Sequence, residues 1–280
     1  MSKKELYSQG IYYEINKKKD MVIYLHGSTS NLTCFKRYRE YFLKKDYGYI
    51  SIDMRGHGKS KVKLNKEKCK LKFFVEDVKK IINHEKIEKV IIVSHSIGTL
   101  IAQSFAANYP NKIKGMVIIS ATYNPTKSFA TNFFKKILLP FTNLMRWVVY
   151  YSRIIISKPS KYRDFSIIDW TKLSPLKFYW EYSRGNVPRN PKESFMMENE
   201  MMKWDTEQIL KKIRCPVLLI HGKKDNLINY RFAYKLKKKI RSSKSLTILN
   251  GGHGIIFTNY YEVRDLIEKF IKEKKENINP

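Results

Sequence analysis

Acidic residues are scarce in this chain of 280 residues: 25 face 55 lysines and arginines, a formal net charge of +30. Such a deficit admits a nucleic acid or an anionic membrane surface as partner. The kind of basic residue argues against nucleic acid. There are 43 lysines and only 12 arginines, whereas phosphate and base-edge recognition draws on the planar guanidinium. The charge is also spread along the chain. Residues 123–205 hold 14 basic and 7 acidic groups, close to their share of the length. The excess reads as a lysine-rich bias. No nucleic-acid partner is expected, and peripheral contact with an anionic membrane stays open.

Cysteine is scarcer still. Cys34, Cys69 and Cys215 lie far apart. An odd, sparse set excludes a disulfide framework and points to a reducing, cytoplasmic setting. No CxxC pair or Cys/His cluster is present, so no metal is expected, and no cofactor either. Long apolar runs are missing too. The nearest candidate, 133–151, is broken by Lys135, Lys136, Pro140, Asn143 and Arg146 and is not expected to span a bilayer. The opening MSKKELYSQG has no apolar core of the kind a secretory leader needs. With 12 glycines and 9 prolines, low-complexity structure is not expected.

What is present is an alternation. Short β-branched runs at 21–26, 49–53, 89–94, 115–120, 216–221 and 245–249 read as strands. Their apolar character is nearly continuous, which means burial on both faces, as in a parallel sheet covered by helices. Residues 70–86, 97–108, 229–241 and 260–274 have helical period. Residues 4–16 suit a starting hairpin around Gly10. The pattern predicts an α/β fold with a mostly parallel central sheet. It breaks from 123 to 204, where aromatic and apolar residues of helical period predominate. That stretch predicts a helical cap inserted after the sixth strand, between core segments 1–122 and 205–280.

Ligands of such sheets bind at the carboxyl ends of the strands, so the residues after each strand carry the chemistry. After 89–94 comes Ser94-His95-Ser96-Ile97-Gly98 and then a helix. This fits a nucleophile elbow, with Ser94 in place of the first glycine. After 216–221 comes Asp225, and after 245–249 comes His253. A serine, an acid and a histidine in that chain order make Ser96 the candidate nucleophile, His253 the base and Asp225 the orienting acid.

After the first two central strands come His26-Gly27-Ser28-Thr29-Ser30 and Asp53-Met54-Arg55-Gly56-His57-Gly58-Lys59-Ser60. Together with the elbow, the acid and the histidine, these segments resemble the α/β-hydrolase superfamily. Its esterases and monoacylglycerol-lipase-like members are the nearest in pattern. The resemblance covers residues 20–121 and 205–272. It implies an α/β-hydrolase fold, with backbone N–H groups of Ser28 and Ile97 as the oxyanion hole. His26, Asp53, His57 and His221 are expected to position loops. Two departures stand out: Ser94 replaces a glycine, and Thr99 stands where many relatives have a second one. The stretch after 115–120, Ala121-Thr122-Tyr123-Asn124, offers no carboxylate, which leaves Asp225 as the acid.

The expected activity is hydrolysis of a medium- or long-chain acyl ester, such as a monoacylglycerol or lysolipid, through an acyl-enzyme on Ser96. Phe133, Phe134, Trp147, Tyr150 and Tyr151 of the cap would line an apolar pocket, with Lys135, Lys136 and Arg146 near anionic headgroups. Other chemistry on the same three residues stays open: C–C bond hydrolysis, perhydrolysis or acyl transfer. So does a non-catalytic binding role for the scaffold.

Overall fold

The computed structural model describes residues 4–28, 30–128, 164–174, 177 and 191–276. The chain opens with β1 (Lys4–Ser8) and β2 (Ile11–Asn16). Both turn residues between them take positive φ, Gln9 at 51° and Gly10 at 83°. That geometry matches the twist of the strands it joins, so the expected hairpin is present. Six further strands follow: β3 (Asp20–Leu25), β4 (Tyr47–Ile52), β5 (Val90–His95), β6 (Ile113–Ile119), β7 (Val217–Gly222) and β8 (Ser243–Leu249). The described strands form one sheet in the order β1-β2-β4-β3-β5-β6-β7-β8. β2 pairs antiparallel with β1 and with β4, and every other pairing is parallel.

The helices are α1 (Lys36–Lys44), α2 (Leu71–His84), α3 (Gly98–Asn108), α4 (Pro125–Ser128), α5 (Pro191–Met201), α6 (Arg231–Lys239), α7 (Ile255–Thr258) and α8 (Tyr260–Glu276). They cover both faces of the sheet. On one side Ile23, Ile92, Ile118 and Leu219 meet Phe74 and Val78 of α2, Leu100 of α3 and Leu236 of α6. On the other side Tyr24, Val93, Val117 and Ile220 meet Phe42 of α1 and Val263 and Ile267 of α8. Neighbouring strand residues thus face opposite layers. This explains the continuous apolar runs, each such side chain contributing about 1.5–3 kcal/mol on burial. Helix α1 falls outside the expected helices. Its basic residues conceal a short apolar stripe, Tyr38 and Phe42 at i, i+4, and its Arg39 is buried against Glu14.

Because β3 to β8 run parallel, the loops after them gather at one edge of the sheet. The expected cap, 123–204, is described only in part. Phe165 and Trp170, in two short 3₁₀ turns, pack with Phe257 of α7. Met197 and Met201 of α5 are buried in the core. Trp204 donates its indole N–H to the Cys69 carbonyl at 3.1 Å. Phe133, Phe134, Trp147, Tyr150, Tyr151, Lys135, Lys136 and Arg146 lie outside the described residues. Among the described residues no helix is long and apolar enough to cross a membrane.

Candidate active site

Strand β5 ends at His95, α3 begins at Gly98, and the chain turns between them at Ser96 with φ of 52°. A left-handed backbone on a serine costs roughly 1–3 kcal/mol and persists only where the surroundings enforce it. Here several contacts do. Ser96 N–H donates to the Ile119 carbonyl at 3.0 Å, and Thr99 Oγ donates to the Ser96 carbonyl at 2.6 Å. The two departures from the usual elbow are accommodated. Ser94, fully buried, donates its hydroxyl to the Val117 carbonyl at 3.2 Å. Thr99 supplies a lock on the turn where a glycine would supply none. Gly98 has no substitute: a Cβ there would lie 2.5 Å from the His26 carbonyl oxygen and 2.8 Å from that of Leu25.

The kink brings the Ser96 hydroxyl to His253. Ser96 Oγ lies 2.8 Å from His253 Nε2, and His253 Nδ1 lies 2.8 Å from Asp225 Oδ2. The three residues expected from the sequence therefore meet, across separations of 157 and 28 residues. The acid and histidine loops are tied together. Lys223 and Lys224 N–H groups donate to the carbonyls of Leu249 and Gly251, both at 2.8 Å. Gly222 makes this approach possible, since a Cβ there would sit 2.4 Å from two of the facing carbonyl oxygens. Burial by itself would push the Asp225 carboxyl up. Hydrogen bonds from His221, His253 and the Ile228 N–H outweigh it and hold Asp225 well below the usual carboxylate range. A permanently ionised acid behind an imidazole fixes the Nδ1–H tautomer and leaves Nε2 free to take a serine proton.

The loop after β3 approaches Ser96 from the other side. A Cβ on Gly27 would come within 3.1 Å of the Ser96 Cβ. His26 sets the orientation of this loop. Its Nδ1 lies 2.7 Å from the Gly27 carbonyl, and its Nε2 accepts the Met54 N–H at 3.1 Å. The two contacts require a neutral ring with the proton on Nδ1. Burial, with His57 beside it, lowers His26 well below the ordinary histidine value, in keeping with that state. With the Gly27 carbonyl drawn to His26, the planar trans peptide turns the Ser28 N–H the opposite way. Ile97 is the N-cap residue of α3, at the end of a helix where N–H groups lack intrahelical acceptors and the potential is positive.

Asp53 ties two loops together, and His57 lies buried in the second of them. Asp53 accepts the N–H groups of Leu32 at 2.8 Å and Lys59 at 2.7 Å, joining the loops after β3 and β4. Burial pushes its carboxyl up to about 7 against the pull of these donors. His57 Nδ1 lies 3.1 Å from the Arg55 carbonyl, and burial lowers its ring to about 4. Arg55 grips Asp77 of α2 through Nε and one terminal nitrogen.

Two residues near His253 escaped the sequence reading. His95 Nε2 lies 2.9 Å from the His253 carbonyl, and Ser120 Oγ donates to the same carbonyl at 3.1 Å. The available signal was position: both sit at the carboxyl end of a strand. The three cysteines are free and buried. Burial raises the thiols of Cys34 and Cys215 to about 12 and that of Cys69 to about 11, so none competes as a nucleophile. Among the described residues no group of three or more His, Cys, Asp and Glu side chains is arranged to hold a metal ion.

Comparisons with known proteins agree with this architecture. The chain is 24% identical over 261 residues to the AB hydrolase superfamily protein YisY of Bacillus subtilis, covering 89% of this chain and 90% of that protein. It is 24% identical over 255 residues to a Mycoplasma pneumoniae protein named as esterase/lipase 1, covering 90% and 91% of the two chains. Its fold superposes on an esterase from Exiguobacterium antarcticum with a TM-score of 0.74 at 21% identity, over 94% of this chain and 95% of the other. The model of the alpha/beta hydrolase fold family matches residues 20–260, most of the chain, and the protein belongs to that family.

Proposed function

We propose that the protein is a serine hydrolase of carboxylic esters, with Ser96 as nucleophile, His253 as general base and Asp225 as the acid that fixes the imidazole. The observation that carries this reading is the 2.8 Å approach of Ser96 Oγ to His253 Nε2 at a backbone kink of positive φ. His253 takes the hydroxyl proton while Oγ attacks the ester carbonyl. The backbone N–H groups of Ser28 and Ile97 receive the oxyanion, and one such donor is worth about 2.7–4 kcal/mol in the transition state. The intermediate collapses to an acyl-Ser96, and the departing alkoxide takes its proton from His253. Water then attacks the acyl carbon as His253 removes a proton, and a carboxylic acid leaves. Every step uses side chains, backbone and water, so no cofactor is invoked.

The substrate class proposed is a medium- or long-chain acyl ester, such as a monoacylglycerol or lysolipid. Residues 123–204 are proposed to form the cap over it. The apolar composition of that stretch and the esterase/lipase name borne by a relative support both. Three unpaired cysteines support a cytoplasmic setting. Peripheral contact of the basic protein with an anionic membrane is proposed as well. A fluorophosphonate followed by peptide mass mapping tests the nucleophile: an adduct on Ser96 is expected, and its absence, or an adduct on Ser94 or Ser28, overturns the reading. A series of p-nitrophenyl esters tests the substrate class. kcat/KM should rise beyond acetyl, at about 0.8 kcal/mol per buried methylene.

A further inference from the structure

The Asp225 carboxylate is met by more donors than the relay needs. Oδ1 accepts the N–H groups of Leu227 at 2.9 Å and Ile228 at 2.8 Å. Oδ2 accepts His253 Nδ1–H at 2.8 Å. His221 Nε2 also lies 3.2 Å from Oδ2, and it lies 2.9 Å from the Ile228 carbonyl. Both neighbours of this nitrogen are acceptors, so Nε2 carries the hydrogen. His221 Nδ1 is buried and has no hydrogen-bond partner. A bare ring nitrogen is tolerable there, whereas an unpaired buried N–H beside it would leave a donor unsatisfied. His221 is therefore a neutral imidazole with its proton on Nε2, shared between a backbone carbonyl and the acid of the relay.

We propose that His221 is a positioning residue of the relay, whose Nε2–H ties the Asp225 side chain to the Ile228 carbonyl and takes up part of the charge that faces His253. The inference rests on the Ser96–His253–Asp225 reading above. Its geometry is specific. His221 and Asp225 are four residues apart across the turn that ends β7, and the Ile228 backbone both receives from His221 and donates to Asp225. The acid is thereby held on both oxygens, and the one facing His253 is shared between two imidazoles.

The sign of the effect follows. A carboxylate oxygen that already accepts a hydrogen bond stabilises a neighbouring imidazolium less. The His221 hydrogen bond thus weakens the hold of Asp225 on a charged His253 ring. Among the described residues the titratable groups around His253 are Asp225 at Nδ1, His95 with ring centroids 5.0 Å away, and His221 behind Asp225. His26 stands behind His95, and the exposed Lys223 and Lys224 flank the acid loop. Among the described residues the ion-pair partners of Asp225 are the two histidines.

The test compares wild type, His221→Leu, which removes the donor, and His221→Gln, whose amide nitrogen can take the place of Nε2. Profiles of kcat/KM against pH on one p-nitrophenyl ester report the free-enzyme His253 on the acid side. In His221→Leu that limb should move to higher pH. kcat should fall about tenfold with KM unchanged, because a loosened acid misplaces the base. His221→Gln should restore the limb. A limb that stays put in His221→Leu, moves to lower pH, or moves equally in both variants overturns the proposal. A second measurement needs no variant. Histidine-¹⁵N spectra of the wild-type protein should show His221 as the neutral Nε2–H tautomer throughout the titration of His253, and an Nδ1–H or charged ring there overturns it. A wild type that fails to react with the fluorophosphonate at Ser96 would instead overturn the relay reading itself.

Discussion

His95 Nε2–H donates to the backbone carbonyl of His253 over 2.9 Å, so the residue beside Ser96 holds the main chain of the residue whose ring meets the Ser96 hydroxyl. Ser120, with φ of 50° at the end of β6, adds a second donor to the same carbonyl. His95 is buried, and desolvation followed by the nearby His253 lowers its ring to about 3. It is a neutral donor near neutral pH. Replacing His95 by Phe keeps a ring and removes the N–H. kcat should fall by about threefold to tenfold with KM unchanged, since a shifted base is a misplaced base. His95→Phe combined with Ser120→Ala should cost more than the product of the two single effects, because only the double variant leaves the carbonyl with neither donor. Independent, multiplicative losses in the cycle would show that the two donors do not share one task.

Gly98 packs the start of α3 against the end of β3. A Cβ would press on the carbonyl oxygens of His26 and Leu25, which are backbone atoms with little room to move. Gly98→Ala should therefore destabilise by about 1–3 kcal/mol despite alanine's better helix propensity. It should also lower kcat at least tenfold by displacing the Gly27–Ser28 peptide. Gly252 serves as a comparison, because a Cβ there meets its nearest atom at 3.8 Å, an ordinary contact. Urea midpoints check the pair: Gly252→Ala should hold, and Gly98→Ala should drop.

Stability should weaken with acid before Asp225 is protonated. His57 and His95 are lowered by burial to about 4 and about 3, and His26 lies well below the ordinary value. Depressed histidines give stability that is complete above the unfolded value near 6.5 and is lost as pH falls toward their folded values. Asp53 acts in the opposite sense. Its raised carboxyl favours the fold at low pH, and that contribution is lost as pH rises through about 7. Three histidines outweigh one acid, so stability should fall between pH 6.5 and 5, by up to about 1.4 kcal/mol per pH unit for each histidine. Denaturant midpoints at pH 7.5, 6.0 and 5.0 check this, and a flat profile would contradict the burial of the three rings.

The parallel strands were legible because continuous apolar runs at helix-separated intervals have few other solutions. Ser96, Asp225 and His253 were legible because each follows a strand, and parallel strands bring their ends together. Two kinds of feature were hidden. Helix α1 was masked by Lys36, Arg37, Arg39 and Lys44, which obscure its two buried aromatic positions. The contacts of His95, Ser120 and His221 depend on which way a side chain turns at a strand end. No spacing rule encodes that. Ser94 and Thr99 read as departures from a pattern, yet their hydroxyls bond the Val117 and Ser96 carbonyls and help to hold the turn.

The excess charge, spread along the chain, has one of its concentrations on α6 and the segments that flank it. Residues 223–244 hold nine basic residues and one acid, and that acid is the buried Asp225. On α6 the side chains of Arg231, Tyr234, Lys235, Lys237 and Lys238 are exposed, and Leu227 is exposed in the loop that leads to it. Helix α8 offers the contrast, with Glu262, Asp265, Glu268 and Glu273 interleaved among its basic residues. If an anionic membrane is a partner, α6 is one described face suited to meet it. Each lysine or arginine near such a surface contributes about 1 kcal/mol, and tyrosine suits the interface. Phosphatidylglycerol vesicles should therefore bind the protein at low salt, and phosphatidylcholine vesicles should not. Binding should weaken as salt shortens the screening length toward about 8 Å at physiological strength. Lys235→Glu with Lys238→Glu should reduce binding at least tenfold. The same charge reversal on α8, at Lys269 and Lys272, should reduce it far less. Equal losses from the two helices would mean that net charge alone drives adsorption and that α6 is no special face.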